Sequence, residues 1–255
     1  MKNKIEISAS IVLYNENMKD LGDAIHSFLN TNISKKLYLI DNTEESRFLN
    51  KFNFSDIEYI SVGKNIGFGA GHNRIINSIK HLSKYHLILN PDVSFGPKVI
   101  PNLIAELESN DTAAMIAPRV LFPDGSHQYS CRRYPKAFEL FARRFQPFSF
   151  LFKRAIDKGI YKDKDLSRSF FAEYLTGCFQ LYNTEDFILL NGFDERYFLY
   201  MEDVDICKKI DQMNKQKIYF PKETITHVLK KDSEKKIKLF FRHIFSMLKY
   251  FNKWR

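Results

Sequence analysis

Ile5-Glu-Ile-Ser-Ala-Ser-Ile-Val-Leu13, closed at once by the polar turn Tyr14-Asn-Glu-Asn17, is the stretch whose reading decides the fold. Its apolar and β-branched side chains read as a buried strand. Met18 to Leu29 follows, with Leu21, Ile25 and Leu29 on one face of a helix. A buried strand running straight into an amphipathic helix is the opening unit of a parallel α/β sheet.

The same unit recurs down the chain. Leu37-Tyr-Leu-Ile40, Ile57 to Val62, His86-Leu-Ile-Leu89 and Ala113 to Ala117 read as further strands, with a helix through Ile75, Ile76 and Ile79. Strand and helix alternate roughly every 25 residues, which predicts a parallel sheet covered by helices on both faces. Ligands in such sheets bind beyond the carboxyl ends of the strands. Polar residues fall there repeatedly: Asn15, Asp41, Asn65 and Asp92 follow the first four strands. This half predicts a nucleotide-type site.

The glycine cluster Asn65-Ile-Gly67-Phe-Gly69-Ala-Gly71-His-Asn73 resembles neither standard phosphate motif. A dinucleotide fingerprint would follow the first strand and want glycine where His72 stands; a P-loop would need a G-K-[ST] ending. What remains is a glycine-rich helix start that lets a ligand, or simply a tight turn, approach the backbone. Asn90-Pro-Asp92 ends an apolar strand with a hard oxygen donor suited to Mg²⁺ or Mn²⁺. His227 lies behind the strand-like Ile218-Tyr-Phe220, where a lone histidine is ordinarily structural.

Asn191-Gly-Phe-Asp-Glu-Arg-Tyr-Phe-Leu-Tyr-Met-Glu-Asp-Val-Asp205 sets three carboxylates behind an aromatic run and before a helical pattern through Ile206, Ile210 and Met213. Acids in a first helical turn suit the helix dipole. Three of them behind Tyr197, Phe198, Leu199 and Tyr200 predict more: a pocket wall whose carboxylate takes a proton from a bound hydroxyl.

Composition bounds the rest. The chain has 255 residues, 44% hydrophobic and 27% charged, as in a globular protein with a core. Its 24 Phe and 13 Tyr suit stacking pockets or an apolar surface, and its net charge of +9 points to an acidic partner: a phosphate-bearing ligand, an anionic membrane or nucleic acid. No nucleic-acid-binding module is recognised. Cys131, Cys178 and Cys207 are widely spaced with no C-x-x-C pair, which argues against a disulfide framework or zinc site and for a reducing cytosol. The N-terminus has no signal-peptide pattern, and no apolar run reaches the roughly 18 residues that span a bilayer.

After Phe122 the alternation fades into basic pairs among aromatics, including Arg132-Arg133 and Arg143-Arg144. Asp157 to Arg168 reads as a mobile loop, and Phe170 to Leu175 as a strand. In Ser233 to Arg255, Ile237, Phe240, Phe241, Ile244, Phe245, Leu248 and Phe251 repeat at helical spacing, with Lys235, Lys236, Lys238, Arg242 and Lys249 on the other side. That tail predicts a helix packed on the domain or a basic amphipathic helix on an anionic membrane, with Phe138 to Arg154 able to join it. The predicted division is one domain over 1–230, donor half 1–121 and acceptor half 122–230, with a helical tail over 231–255.

Taken in order, Tyr14-Asn15, Asp41-Asn42, the Asn65–Asn73 glycine cluster, Leu89-Asn-Pro-Asp92, the Gly192–Asp205 stretch and His227 resemble the inverting glycosyltransferase family 2. Ala117-Pro-Arg-Val-Leu-Phe-Pro-Asp-Gly-Ser-His-Gln-Tyr-Ser-Cys-Arg-Arg-Tyr-Pro135 is similar to its bacterial rhamnosyltransferase-like branch. The resemblance implies a GT-A fold, a Rossmann-like mostly parallel sheet flanked by helices. It implies that Asn15 and Asp41 hold base and ribose, and that Asn65, Gly71 and Asn73 lie beside the base and diphosphate. Asp92 would be a metal ligand and His227 would complete metal or diphosphate coordination. Asn90 stands where the family carries its first metal-side acid, leaving one fewer carboxylate there. Asp203 would be the catalytic base, with Glu202 beside it.

That set answers the chemistry. A divalent cation, Mg²⁺ or Mn²⁺, stabilises the departing nucleoside diphosphate. The anomeric carbon becomes oxocarbenium-like, and a carboxylate on the opposite face takes the acceptor proton. The branch implies transfer of L-rhamnose from dTDP-L-rhamnose, with a UDP-hexose donor as the alternative within the class. A non-catalytic nucleotide-sugar-binding or membrane-scaffold protein is the alternative outside it. The acceptor implied is polyprenyl-diphosphate-linked or a polysaccharide, reached from the cytoplasmic face of the plasma membrane during surface-glycan synthesis.

Overall fold

The protein is described by a computed structural model that covers residues 5–52, 54–136, 153–229 and 237–255. Residues 137–152, with most of the aromatic-basic segment expected at the membrane, and 230–236, with Lys235 and Lys236, lie outside them. Strands β1 (Ile5–Leu13), β2 (Lys35–Asp41), β3 (Ile57–Ser61) and β4 (Ser83–Leu89) pair in parallel in the order β3-β2-β1-β4. The period of two sorts β1 between two cores. Ile7, Ala9, Ile11 and Leu13 enter one, while Ser8 and Ser10 face the other side.

Helix α1 (Met18–Leu29) starts where Asn17 Oδ1 accepts from the Lys19 and Asp20 amides, and it buries Leu21, Ala24, Ile25 and Phe28. Each fully buried Leu, Ile or Phe contributes roughly 1.5–3 kcal/mol over its exposed state. The opposite face carries α2 (Phe68–Asn73) and α3 (Ile76–Ile79). The next elements are β5 (Val93–Phe95), α4 (Val99–Glu108), β6 (Ala113–Leu121), β7 (Cys131–Arg132) and α5 (Lys153–Gly159). Then come β8 (Phe170–Phe171), β9 (Tyr174–Leu175), β10 (Phe179–Asn183), α6 (Thr184–Leu189), α7 (Glu202–Gln212), β11 (Gln216–His227) and α8 (Ile237–Lys253).

Beyond β4 the sheet changes character. β10 runs antiparallel between β4 and β6; β11 lies parallel to β6 and carries β5 and β8 antiparallel. The nine-stranded sheet is therefore mixed: periodicity shows a strand's existence but not its direction. The reversal matters for the site, because β10 begins at the edge where β4 ends.

Asp157–Arg168 differs from its expected mobility. Tyr161 is buried, its hydroxyl accepts from Glu173 N at 2.9 Å, and Arg133 lies 4.3 Å over its ring. Arg133 also grips Asp163 with two bonds of 2.7 and 2.9 Å. One aromatic anchor in a polar stretch is enough to pin it. The three cysteines are free and buried. Among the described residues no helix is long and apolar enough to cross a membrane.

Helix α8 packs one face on the domain, as the first reading of the tail expected, and leaves an apolar row on the other face exposed. Tyr250 and Ser246 are buried against the domain, whereas Phe241, Phe245 and Leu248 are 52%, 59% and 62% exposed.

Candidate active site

Two groups of predicted residues meet at the turn Gly177-Cys178. Asn90 N donates to Cys178 O at 2.9 Å, fastening the end of β4 to the start of β10. Asp92 O accepts from Val228 N at 3.1 Å, and Asp92 Oδ1 lies 3.2 Å from His227 Nε2. On the other flank Gly177 N donates to Asp203 Oδ2 at 3.1 Å. Asn90, Asp92, His227 and Asp203 thus converge around one turn.

The donor atoms on the β4 side fit a hard cation. Ligands about 2.1 Å from an octahedral ion stand about 3 Å apart when adjacent, close to the Asp92–His227 spacing. Asn90 Oδ1 is buried without a hydrogen-bond partner, while its amide nitrogen lies 3.4 Å from His227 Nε2. Gln128 orients the imidazole, with Oε1 2.7 Å from Nδ1 and Nε2 donating to His227 O at 3.1 Å. With Nδ1 as the donor, Nε2 is left as the ligand atom. Burial alone would lower the His227 pKa; the adjacent Cys178 sulfur and the Asp92 carboxylate outweigh it and push it up to about 10. A cation would take that proton's place. Among the described residues no three His, Cys, Asp or Glu side chains form a cage. Coordination here would need the Asn90 oxygen and the ligand's own diphosphate.

The base side is built by the acid stretch and its supports. Asp203, in the first turn of α7, also accepts from Val204 N at 2.9 Å. Burial raises its pKa; hydrogen bonds from the Gly177 and Val204 amides and the charge of Arg132 counteract that. Glu202 is 5% exposed with Oε2 unpartnered, and its pKa stands well above the usual range, first from burial and then from Asp203. Burial raises both carboxyls, but Asp203 accepts the Gly177 and Val204 amides, which favour its charged form and suit it to the role of base. The third acid is elsewhere. Asp205 is fully buried, accepting from Tyr197 OH at 3.2 Å and Trp254 Nε1 at 2.7 Å, with Lys253 Nζ at 2.8 Å. It anchors α8, which corrects the expectation that all three acids wall one pocket.

The glycine cluster supports this stretch. Gly67 (φ +93°) donates to Asn65 Oδ1 at 3.0 Å, and a Cβ there would stand 2.3 Å from Phe198 O. A Cβ on Gly69 would meet Phe193 at 2.8 Å, and one on Gly71 would meet Val12 at 2.7 Å. Asn73 clasps Phe193, accepting from its N at 2.9 Å and donating to its O at 2.8 Å. Asn65, Gly71 and Asn73, which the resemblance places beside the base and diphosphate, make these contacts within the chain. A groove of about 550 Å³ opens beside this clamp, lined by Asn73, Asn191, Glu195, Arg196 and Lys209. Neither Glu202 nor Asp203 lines it, so the chemistry is not placed there.

At the first strand ends, Asn15 is exposed and accepts from Arg47 at 2.8 Å. Asp41 is fully buried, accepting from Thr43 N at 2.8 Å, Phe48 N at 3.3 Å and the Tyr59 hydroxyl. It shapes its own loop. Asn42 donates to Gly67 O at 3.1 Å and leaves a buried Oδ1 unpartnered. Asn42, Gln128 and Gly177 are site residues to which sequence reasoning gave no role. Backbone partners and orienting bonds leave no spacing signal, although Gln128's place just after the Pro123-Asp-Gly125 turn was visible.

A two-core mixed sheet with a carboxylate beside a histidine at its strand ends, and a second carboxylate across one turn, defines an α/β transferase of the GT-A type. The chain belongs to glycosyl transferase family 2, whose model matches residues 8–187, and it is a glycosyltransferase. It is 27% identical over 206 residues to rhamnosyltransferase WbbL of Escherichia coli K12, covering 77% of this chain and 74% of that one. It is also 27% identical over 185 residues to the N-acetylglucosaminyl-diphospho-decaprenol L-rhamnosyltransferase of Mycobacterium tuberculosis, covering 68% and 59%. Among solved structures, GalNAc-T7 with UDP, GalNAc and Mn²⁺ superposes with a TM-score of 0.62 at 15% identity, covering 89% of this chain and 44% of that one. The mannosyltransferase PcManGT of Pyrobaculum calidifontis, with GDP-Man and Mn²⁺, gives 0.57 at 13%, covering 89% and 58%. These two likenesses concern the fold.

Proposed function

We propose that the chain transfers L-rhamnose from dTDP-L-rhamnose to a hydroxyl of a lipid-linked or polysaccharide acceptor, inverting the anomeric carbon. The observation that carries the reading is the Gly177-Cys178 turn, which binds Asp203 through one residue and Asn90 through the next. Both curated relatives are named as rhamnosyltransferases, and one name includes a diphospho-decaprenol acceptor; these support the sugar and the lipid link.

In this reading Asp92, His227 and Asn90 Oδ1 would hold a Mg²⁺ or Mn²⁺ ion, which would supply charge stabilisation to the departing diphosphate. Asn15, Asp41 and Asn65 border the base and ribose; Gly71 and Asn73 back the diphosphate side. Asp203 accepts the acceptor's proton from the face opposite the leaving group. With one base and no enzyme nucleophile, the reaction is a single displacement. Residues 1–230 act as one catalytic unit, its donor half over 1–121 and its acceptor half over 122–230, with 231–255 as its tail.

The exposed row Phe241, Phe245 and Leu248 on α8, in a chain of net charge +9, supports docking on an anionic bilayer at the cytoplasmic face of the plasma membrane. Flotation with vesicles rich in anionic lipid tests this, and protein left unbound would remove the docking. For the donor, a thermal-shift panel of dTDP- and UDP-sugars with Mn²⁺ is the test. A ligand at 100 times its Kd adds about 2.7 kcal/mol of stability. A response to a UDP-hexose with none to dTDP-L-rhamnose would overturn the donor assignment.

A further inference from the structure

Two successive non-glycine residues, Tyr200 (φ 70°) and Met201 (φ 71°), are left-handed directly before Glu202 and Asp203. Each such residue costs roughly 1–2 kcal/mol and persists only where its surroundings hold it. Helix α8 supplies much of that hold. Ser246 Oγ donates to Leu199 O at 2.9 Å, and Lys249 Nζ donates to Arg196 O at 2.6 Å. Arg242 lies 4.0 Å over the Phe198 ring, and the His243 ring packs 4.8 Å from that of Tyr200. Past the acids, Trp254 Nε1 and Lys253 Nζ reach Asp205 at 2.7 and 2.8 Å. The helix therefore grips the stretch on both sides of the Glu202-Asp203 pair.

From this double grip we infer that α8 is a positioning element for the reaction, with Ser246 and Trp254 fixing where Asp203 presents its carboxylate. Neither residue is within the cleft; both act through the 196–205 stretch. Asp41, Asp92 and His227 rest on β2, β4 and β11, while the Gly67–Phe68 loop touches the stretch only at Phe198, where Phe68 N donates to Phe198 O at 3.1 Å. Loosening α8 therefore acts on the base first and on the donor side only through that contact. Misplacing a reacting group by about an ångström costs up to roughly a hundredfold in rate. The inference rests on Asp203 being the base.

The test uses the full chain carrying Ser246→Ala with Trp254→Phe, compared with wild type in sugar transfer and in amide hydrogen exchange. The expected result is a kcat lower by about tenfold to a hundredfold, a smaller change in donor KM than in kcat, and faster exchange centred on residues 197–205. Wild-type kcat in the double variant overturns the inference, whatever the exchange shows. A lower kcat with unaltered exchange also overturns it, because the loss then comes by another route. If the double variant does not fold, Ser246→Ala alone is read by the same two measurements. A wild-type protein that transfers no sugar defeats the functional reading instead, and the exchange data still report whether α8 orders the stretch.

Discussion

Asp92 Oδ1 faces His227 Nε2 across 3.2 Å, although one residue follows β4 and the other ends β11. Gln128 holds the far side of the ring at Nδ1 and also donates to His227's own carbonyl oxygen, so the imidazole is aimed without any cation. Replacing Gln128 by Ala is expected to weaken Mn²⁺ or Mg²⁺ affinity by about 10–100-fold. Activity titrated against metal should show a higher half-saturation concentration and near-normal turnover at saturation.

Asp203→Asn keeps the shape and removes the proton acceptor. Transfer should fall by about 10²–10⁴-fold with an unchanged far-UV spectrum. Turnover within a few-fold of wild type would reject the assignment.

The wild-type pH profile follows from the burial that raises the Asp203 pKa. Only its ionised form accepts a proton, so kcat/KM should rise with pH through an apparent pKa above the usual carboxylate value. A profile flat from pH 4.5 upward would contradict the environment described here.

Gly67 and Gly63 separate crowding from conformation. Both have positive φ, +93° and +72°, but a Cβ on Gly63 meets nothing within 4 Å while one on Gly67 meets Phe198 O at 2.3 Å. Gly63→Ala should cost about 1 kcal/mol and Gly67→Ala at least 3. Thermal melts read the difference at about 2–4 °C per kcal/mol. Only the Gly67 change should also lower transfer, because Phe198 precedes the base.

Acid should destabilise the fold through a buried polar chain. Ser10 Oγ lies 2.7 Å from His72 Nδ1 and 3.0 Å from His86 Nε2, and Ser8 Oγ lies 2.8 Å from His86 Nδ1. Burial lowers both histidines, His86 to about 3. Between that value and 6.5 the unfolded chain binds protons that the folded one does not, so stability rises with pH across this window. The melting temperature should therefore drop as pH falls below 6.5, and His86→Asn should flatten the dependence.

The sequence was most legible where local chemistry decides structure. β1, α1 and the polar strand ends followed from periodicity and turn residues, and the acid stretch announced itself by composition. Relations between distant segments were hidden. Asp205 resembles Asp203 on paper, yet Trp254 and Lys253 make it an anchor. The glycine cluster read as a helix start open to a ligand or to a tight turn, and only the fold shows that Phe198, Phe193 and Val12 lie where side chains on it would stand. β10 is absent from the strands read above, and its reversal depends on β4 and β6 lying on either side. Those are facts of three-dimensional neighbourhood, which spacing along a chain does not encode.

The arrangement of β5 and β11 bears on how the molecule is made. Among the described residues β5 pairs only with Ile225, Thr226 and His227, the far end of β11. Until that segment leaves the ribosome, β5 is an orphan edge and β6 lacks its parallel neighbour. Such distant pairings form late and slowly. The half of the cleft that would grip the diphosphate is thus completed only once β11 has been made, and a nascent chain stalled before residue 216 holds Asp92 without its histidine.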